Sequence, residues 1–258
     1  MSIGDFLAIL LAGVGAGTIN TVVGSGSLIT FPTLIALGYP PLLANVSNNI
    51  GLVPGSISGA YGYRRELVGQ QPRLRRLMPA SALGALTGST LLLLAPSDVF
   101  DSVVIVLVVV ALVLVVAQPT ITKRLAARRA AGAAGREHLH RDVTPPVILL
   151  VGLAGVYGGY FGAAQGIILV ATLGIFVDDA LQRLNACKNV LALTVNAVAS
   201  VVFVLTTEID WAVVAVIAVG STIGGQIGAT FGRRLDPRAL RALIVCVGSI
   251  ALVRLVTR

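Results

Sequence analysis

Ten apolar stretches follow one another along this chain, at 5–23, 27–38, 41–62, 78–95, 99–117, 145–163, 166–177, 186–206, 211–231 and 239–257. A helix needs about 20 consecutive apolar residues to cross about 30 Å of hydrocarbon. Six of the stretches approach that length with at most two charges each. The other four form two pairs, 5–38 and 145–177. In each pair the second member is short, and a glycine-rich break separates it from the first. Composition agrees: 56% of residues are hydrophobic and 12% charged, with mean hydropathy +0.92. A soluble domain carries about 25% charged residues, so this chain cannot coat a globule with polar side chains. That excludes an ordinary cytosolic enzyme, a disordered protein and a secreted disulfide scaffold. An all-α integral membrane protein is predicted.

The net charge of +8 would point to nucleic acid in a soluble protein. Here the basic residues sit in short clusters between apolar stretches, the pattern of cytoplasmic loops, so no nucleic-acid partner is expected. Cys187 and Cys246 lie in apolar segments without a motif and read as small buried hydrophobes. His138 and His140 share one polar loop, which leaves almost no ligands for zinc or haem, and no cofactor or metal is expected. The opening MSIGDFLAILLAG lacks a basic leader region and reads as mature sequence.

The two halves of the chain are copies. A shift of 140 residues superposes Gly15 on Gly155, Gly26 on Gly166, Asn45 on Asn185 and Asn49 on Asn189. It continues through Ser81 on Ser221, Gly84 on Gly224, Gly88 on Gly228 and Thr90 on Thr230. Internal repeats of this kind are common in secondary transporters. The expected division is a first repeat over 1–117, a cytoplasmic Arg-rich linker over 118–144 and a second repeat over 145–258.

Loop charge predicts how the copies are oriented. The 64–76 loop carries Arg64, Arg65, Arg73, Arg75 and Arg76 against Glu66, whereas its equivalent, 204–216, carries only Glu208 and Asp210. The 95–101 loop has Asp98 and Asp101 and no base. Its equivalent belongs to a cluster with Arg233, Arg234, Arg238 and Arg241 against Asp236. Positive charge marks the cytoplasmic side, so the reversal predicts two inverted-topology repeats. An odd number of crossings per half follows: a broken, re-entrant helical hairpin plus three transmembrane helices, with both chain ends outside. The segment 178–188 falls inside in this scheme, but Asp178 and Asp179 balance Arg183 and Lys188, so its charge does not help.

Polar residues inside apolar segments usually face a cavity or another helix. The first break includes Thr18, Asn20, Gly24, Ser25, Gly26 and Ser27, and the second ends in Gln165-Gly166. A half-helix restarting after such a break presents free backbone N–H groups and a positive dipole end, which suits an anion. A second cluster follows in each half: Asn45, Asn48 and Asn49, then Asn185, Lys188 and Asn189, with Asn196 further along the same face. Lys188 stands where the first half has Asn48. Plainer readings stay open. The breaks could serve packing alone, the asparagines could hold helices together, and Lys188 could snorkel to the interface. The runs Gly51/Gly55/Gly59, Gly84/Gly88 and Gly220/Gly224/Gly228 are expected to be helix-packing surfaces.

The stretch from Gly15 through Gly24-Ser25-Gly26-Ser27 and Pro32, with Asn45 to Asn49 and Tyr63-Arg64, resembles the first half of the sulfite exporter TauE/SafE family. Gly155 to Gly166, Asn185 to Asn189 with Lys188, Asn196, Trp211 and Gly220 to Arg234 resemble its second half. The likeness covers essentially the whole chain, although the family's first break is usually richer in consecutive glycines. It implies a multi-pass transporter of the inner (plasma) membrane, with members linked to sulfite, sulfonates and related small anions.

Together these readings predict a secondary transporter of a small sulfur-containing or carboxylate anion, working by alternating access. Its substrate-binding residues would be Thr18, Asn20, Gly24, Ser25, Gly26, Ser27, Asn45, Asn48, Asn49, Gln165, Gly166, Asn185, Lys188 and Asn189. The lipid bilayer is the expected surrounding. Catalysis is not expected, since the apolar segments hold no His/Asp/Glu constellation. An anion channel and a structural or assembly protein are the alternatives. A coupling ion (H+ or Na+), the transport direction and a homo-oligomeric state stay open.

Overall fold

A computed structural model describes residues 1–133, 143–232 and 236–257. His138, His140, Arg233, Arg234 and part of the expected 118–144 linker lie outside the described residues. The described chain is all-α: α1 (Ile3–Val22), α2 (Ser27–Ala36), α3 (Pro41–Gly62), α4 (Gln71–Leu94), α5 (Ser97–Ala133), α6 (Pro145–Tyr160), α7 (Gln165–Phe176), α8 (Leu181–Thr206), α9 (Trp211–Phe231) and α10 (Pro237–Val256). Local sequence explains several starts. Proline opens α3, α4, α6 and α10, where its missing N–H is no loss. Asp210 and Asp236 cap α9 and α10 with their carboxylates.

Six helices are long and apolar enough to cross a membrane: α1, α4, residues Val99–Arg124 of α5, α8, α9 and Arg238–Val256 of α10. The 22-residue α3 is long enough but carries Asn45, Ser47, Asn48, Asn49, Ser56 and Ser58, all buried. It is a polar helix inside the protein rather than a lipid-facing one. Outward faces carry exposed Leu7, Leu11, Val106, Val113, Leu149 and Val219, as a surface solvated by acyl chains should. With 10 and 12 residues, α2 and α7 reach only about 15 and 18 Å. Neither is long enough to span.

The sequence repeats are not the packing units. Helix α9 of the second half lies along α1 and α3 of the first, and α4 of the first half lies along α6 and α8 of the second. Glycines make these contacts possible. A Cβ on Gly17 would fall 2.2 Å from the Ser221 carbonyl oxygen, and one on Gly224 would fall 2.0 Å from that of Val14. On the other side, a Cβ on Gly84 would meet the Gly152 oxygen at 2.2 Å and one on Gly88 the Val156 oxygen at 2.0 Å. Gly55 sits against Ser221 in the same way. These are the small-residue surfaces expected from the sequence, where bare backbone lets helices touch. The exchange is reciprocal. It yields one bundle of α1–α3, α9 and α10 and another of α4–α8, since α10 also packs on α2 and α5 on α7; α5 and α10 pack on each other as well and join the two.

Between the bundles, α3 and α8 cross antiparallel, with Asn49 opposite Ser200 and Ser56 opposite Asn196. At one end, Arg73 forms a 2.7 Å ion pair with Asp179, which also accepts from the Arg183 Nε at 2.8 Å. Gln70 donates to the Arg183 carbonyl at 2.8 Å, and Arg183 donates to that of Val68 at 3.0 Å. The 178–183 segment, whose net charge is uninformative, is therefore held on the same side as the arginine-rich turn after Tyr63. Burial works to raise the Asp179 pKa, but hydrogen bonds from Arg73 and the Ala180 N–H, with the charges of Arg73 and Arg183, hold it below the ordinary carboxylate value. Both cysteines are free; Cys187 is buried as expected, whereas Cys246 is exposed on α10.

Candidate functional site

The two breaks meet. Helix α1 stops at Val22, and Gly24 turns the chain through φ +89° before α2 restarts at Ser27. Helix α6 stops at Tyr160, and Gly162 (φ +78°) and Ala164 (φ +61°) turn the chain before α7 restarts. Gly24 and Ala164 are equivalent under the 140-residue shift, so a left-handed residue marks the same place in both breaks. The Gly166 N–H donates to the Gly24 carbonyl at 3.0 Å, and their Cα atoms are so close that a Cβ on either would fall 2.4 Å from the other. Only glycine permits that approach. Phe31 and Phe161 stack edge to face at 5.2 Å behind the contact, and the Tyr157 hydroxyl donates to the Ala163 carbonyl at 2.5 Å.

The asparagine helices hold the opposite half's broken helix by its end. Asn45 on α3 donates to the Tyr160 carbonyl at the end of α6, at 3.0 Å. Its equivalent, Asn185 on α8, donates to the Thr21 carbonyl near the end of α1, at 3.2 Å. Lys188, fully buried at 0% exposure, donates to the Asn20 and Thr21 carbonyls at 2.8 and 3.3 Å. A helix C-terminus carries partial negative charge, so an ammonium is favoured there. Among the described residues no carboxylate pairs with it. Its counterpart Asn48 is occupied differently, accepting from Thr30 within its own half.

Among the described residues, two polar groups of the breaks are buried without a partner, the Ser25 hydroxyl (1% exposed) and the Gln165 Nε2 (3%), and on α8 so is the Asn189 Nδ2 (6%). Ser25 and Gln165 are equivalent positions in the repeat; Ser25 lies two residues ahead of α2, and Gln165 is the first residue of α7. The surroundings of Asn189 differ from those of its counterpart: the Asn49 Oδ1 accepts from Ser200 at 3.0 Å, whereas the position equivalent to Ser200 is Ala60, which offers no hydroxyl. A buried donor left unpaired is costly, on the order of 1–3 kcal/mol, and such orphans ask for a partner. Neither α2 nor α7 has a side-chain cap at its start. Donors, uncapped helix starts and one ammonium make a setting for a ligand that only accepts hydrogen bonds.

Several expected residues are engaged elsewhere. Thr18 gives its hydroxyl to the Val14 and Gly224 carbonyls and so joins α1 to α9. Asn20 reaches Ser56 at 3.5 Å, Gly26 is pressed against Ala16, and Ser27 is half-buried at the start of α2. The Gly166 N–H, expected to be open to a ligand, is taken by Gly24. The sequence reading missed Ser56, which accepts from Asn196 at 3.3 Å. Its 140-residue spacing from Asn196 was the available signal. A cavity of about 150 Å³ lies between the bundles at the end where the arginine-rich turn begins. Val22, Val23, Tyr63 and Gly232 line one wall, and Gln118, Thr122, Ile167, Gln182 and Asn185 the other. It reaches Asn185 and stops short of Lys188. Among the described residues, no group of three His, Cys, Asp or Glu side chains could hold a metal.

Comparison with known proteins decides the family. Residues 9–255 match the family described as Sulfite exporter TauE/SafE. The chain belongs to the sulfite exporter TauE/SafE family. "Probable membrane transporter protein YfcA" of Escherichia coli (strain K12) is 25% identical over 236 residues, covering 91% of this chain and 83% of that protein. "Probable membrane transporter protein ORF9" of Sinorhizobium sp is 26% identical over 245 residues, covering 93% and 88%. A "Probable membrane transporter protein" of Haemophilus influenzae is 25% identical over 252 residues, covering 95% and 92%. This TauE/SafE chain is thus a multi-pass membrane transporter whose interior contact is built from two interrupted helices.

Proposed function

We propose that the chain is a plasma-membrane secondary transporter of small anions: sulfite, an organosulfonate, or a related sulfur-containing or carboxylate anion. The observation that carries this reading is the contact of the two breaks, where Ser25 and Gln165 are buried with unpaired polar atoms and the side chain of Lys188 packs against Gly166. An oxyanion supplies acceptors for such donors and a counter-charge for the lysine. Donors placed at half-helix starts near mid-membrane are a recurrent transporter solution.

The halves work as inverted repeats in this reading, supported by the antiparallel passage of α3 and α8 and by the reversal of loop charge. The bodies that rock are the exchanged bundles, α1–α3 with α9–α10 and α4–α8, because the glycine contacts within each leave no room to slide. The cavity at the arginine-rich end is the inward access path. The test is uptake of sulfite, sulfate, methanesulfonate and acetate by proteoliposomes. Saturable uptake of at least one, accelerated by the same anion inside, is expected. Non-saturating flux without that acceleration would show a channel, and no flux of any anion would refute the reading.

A further inference from the structure

We infer that Lys188 is the coupling residue of this transporter, carrying one proton across with each anion; the inference rests on the anion site proposed above. Lys188 is fully buried, donates to the uncharged carbonyls of Asn20 and Thr21, and packs against Gly166 beside the Gly24 contact. A charged ammonium enclosed in this way keeps its proton comfortably only while a negative charge sits next to it. The bound anion supplies that charge, and its departure removes it.

The surroundings offer no substitute. Helices α2, α7 and α9 contain no ionisable side chain, and α1 contains only Asp5 in its first turn. On α6, Tyr157 gives its hydroxyl to Ala163, and Tyr160 packs on Phe100. On α8 itself, Cys187 is turned into the cluster with Leu77 and Val151, and Arg183 is held by Asp179. On α3 the only ionisable group is Tyr61, 62% exposed near its C-terminal end, and the arginines of α4 stand in its first turns. No carboxylate lies in the middle of a described span, so a carboxylate-based proton or sodium site has no residue to use, whereas an amine at the anion's side has both tasks within reach.

The step balances simply. With the bundles parted toward the cavity, the anion leaves. One N–H bond of the Lys188 ammonium breaks, its electron pair stays on nitrogen, and the proton passes to water. The neutral amine still donates to the Asn20 or Thr21 carbonyl. Reprotonation on the opposite side precedes loading of the next anion, so anion and proton move together and the loaded site carries no net charge.

The experiment uses purified full-length protein in proteoliposomes with methanesulfonate, which is ionised across the working pH range, so that a pH gradient acts only through the protein. Exchange of internal for external methanesulfonate without a gradient reports the site itself. Net uptake with a trapped pH dye reports proton movement. Wild type is expected to show about one proton per anion and several-fold accumulation under an inward proton gradient. Lys188→Arg, a cation that does not titrate, is expected to lose gradient-driven accumulation and the proton movement that accompanies net uptake. Wild-type net uptake without proton movement would overturn the role of Lys188, and so would a Lys188→Arg protein that still accumulates anion under the gradient. If Lys188→Arg fails to fold, the proton count in wild type decides alone. Absence of wild-type exchange would instead overturn the anion site on which the inference stands.

Discussion

Ser56 and Asn196 are the same residue position in the two halves, and they hydrogen-bond to each other at 3.3 Å. Around this pair the two asparagines of α3 and α8 reach across to the opposite broken helix, Asn45 to Tyr160 and Asn185 to Thr21. In the inverted-repeat arrangement proposed above, the axis relating the copies runs through this pair.

Removing the Ser56–Asn196 bond should weaken the seam between bundles. Ser56→Ala and Asn196→Ala should each lower stability, with a coupling energy of about 0.6 kcal/mol and at most about 1.7 kcal/mol, as interhelical hydrogen bonds in membranes do. A double-mutant cycle by thermal unfolding in detergent measures it. Strict additivity would mean that the two side chains do not interact.

Glycine contacts give a sharper contrast. A Cβ at Gly224 would lie 2.0 Å from the Val14 oxygen, whereas one at Gly152 would find nothing nearer than 3.6 Å. Gly224→Ala should destabilise by about 1–3 kcal/mol through overpacking, and Gly152→Ala should stay within about 0.5 kcal/mol of wild type. Equal effects would contradict the close packing of α1 on α9.

Ala60→Ser tests the unpaired Nδ2 of Asn189. A hydroxyl there would stand opposite Asn189 as Ser200 stands opposite Asn49, and its oxygen can accept from the Nδ2. The variant should gain about 1 kcal/mol in stability and bind the transported anion several-fold more weakly. Tighter anion binding by this variant would exclude Asn189 from the site.

The Arg73–Asp179–Arg183 clasp should be sensitive to acid. The folded-state pKa of Asp179 is depressed, so its contribution is full above the unfolded value of about 3.9 and fades as pH falls through the lower folded value. Asp179→Asn should be less stable than wild type at pH 7, by on the order of 1 kcal/mol. The two should converge in strong acid. A gap that does not change with pH would mean that the carboxylate charge contributes nothing.

Much of this arrangement is legible in sequence, because a bilayer forces helices to be apolar and long. All ten apolar stretches became helices, and both breaks lie where glycine interrupts them. Helix ends were less legible: α4 starts at Gln71, before its apolar stretch, and α5 runs on to Ala133 through Lys123 and Arg124, since alanine and arginine favour helix without being apolar throughout. The exchange of α4 and α9 between halves could not be read, because a constant shift says which segments are alike and nothing about which copy each one touches. Thr18 and Asn48 looked like site residues for the same reason that Ser25 did. Only the packing tells that Gly224 and Thr30 have already claimed them.

The most direct measurement is an experimental structure of the protein with methanesulfonate bound. Density for the sulfonate is expected where the two breaks touch, within hydrogen-bonding reach of Ser25, Gln165 and the Lys188 Nζ. An empty contact, with the sulfonate bound elsewhere, would contradict the proposed site.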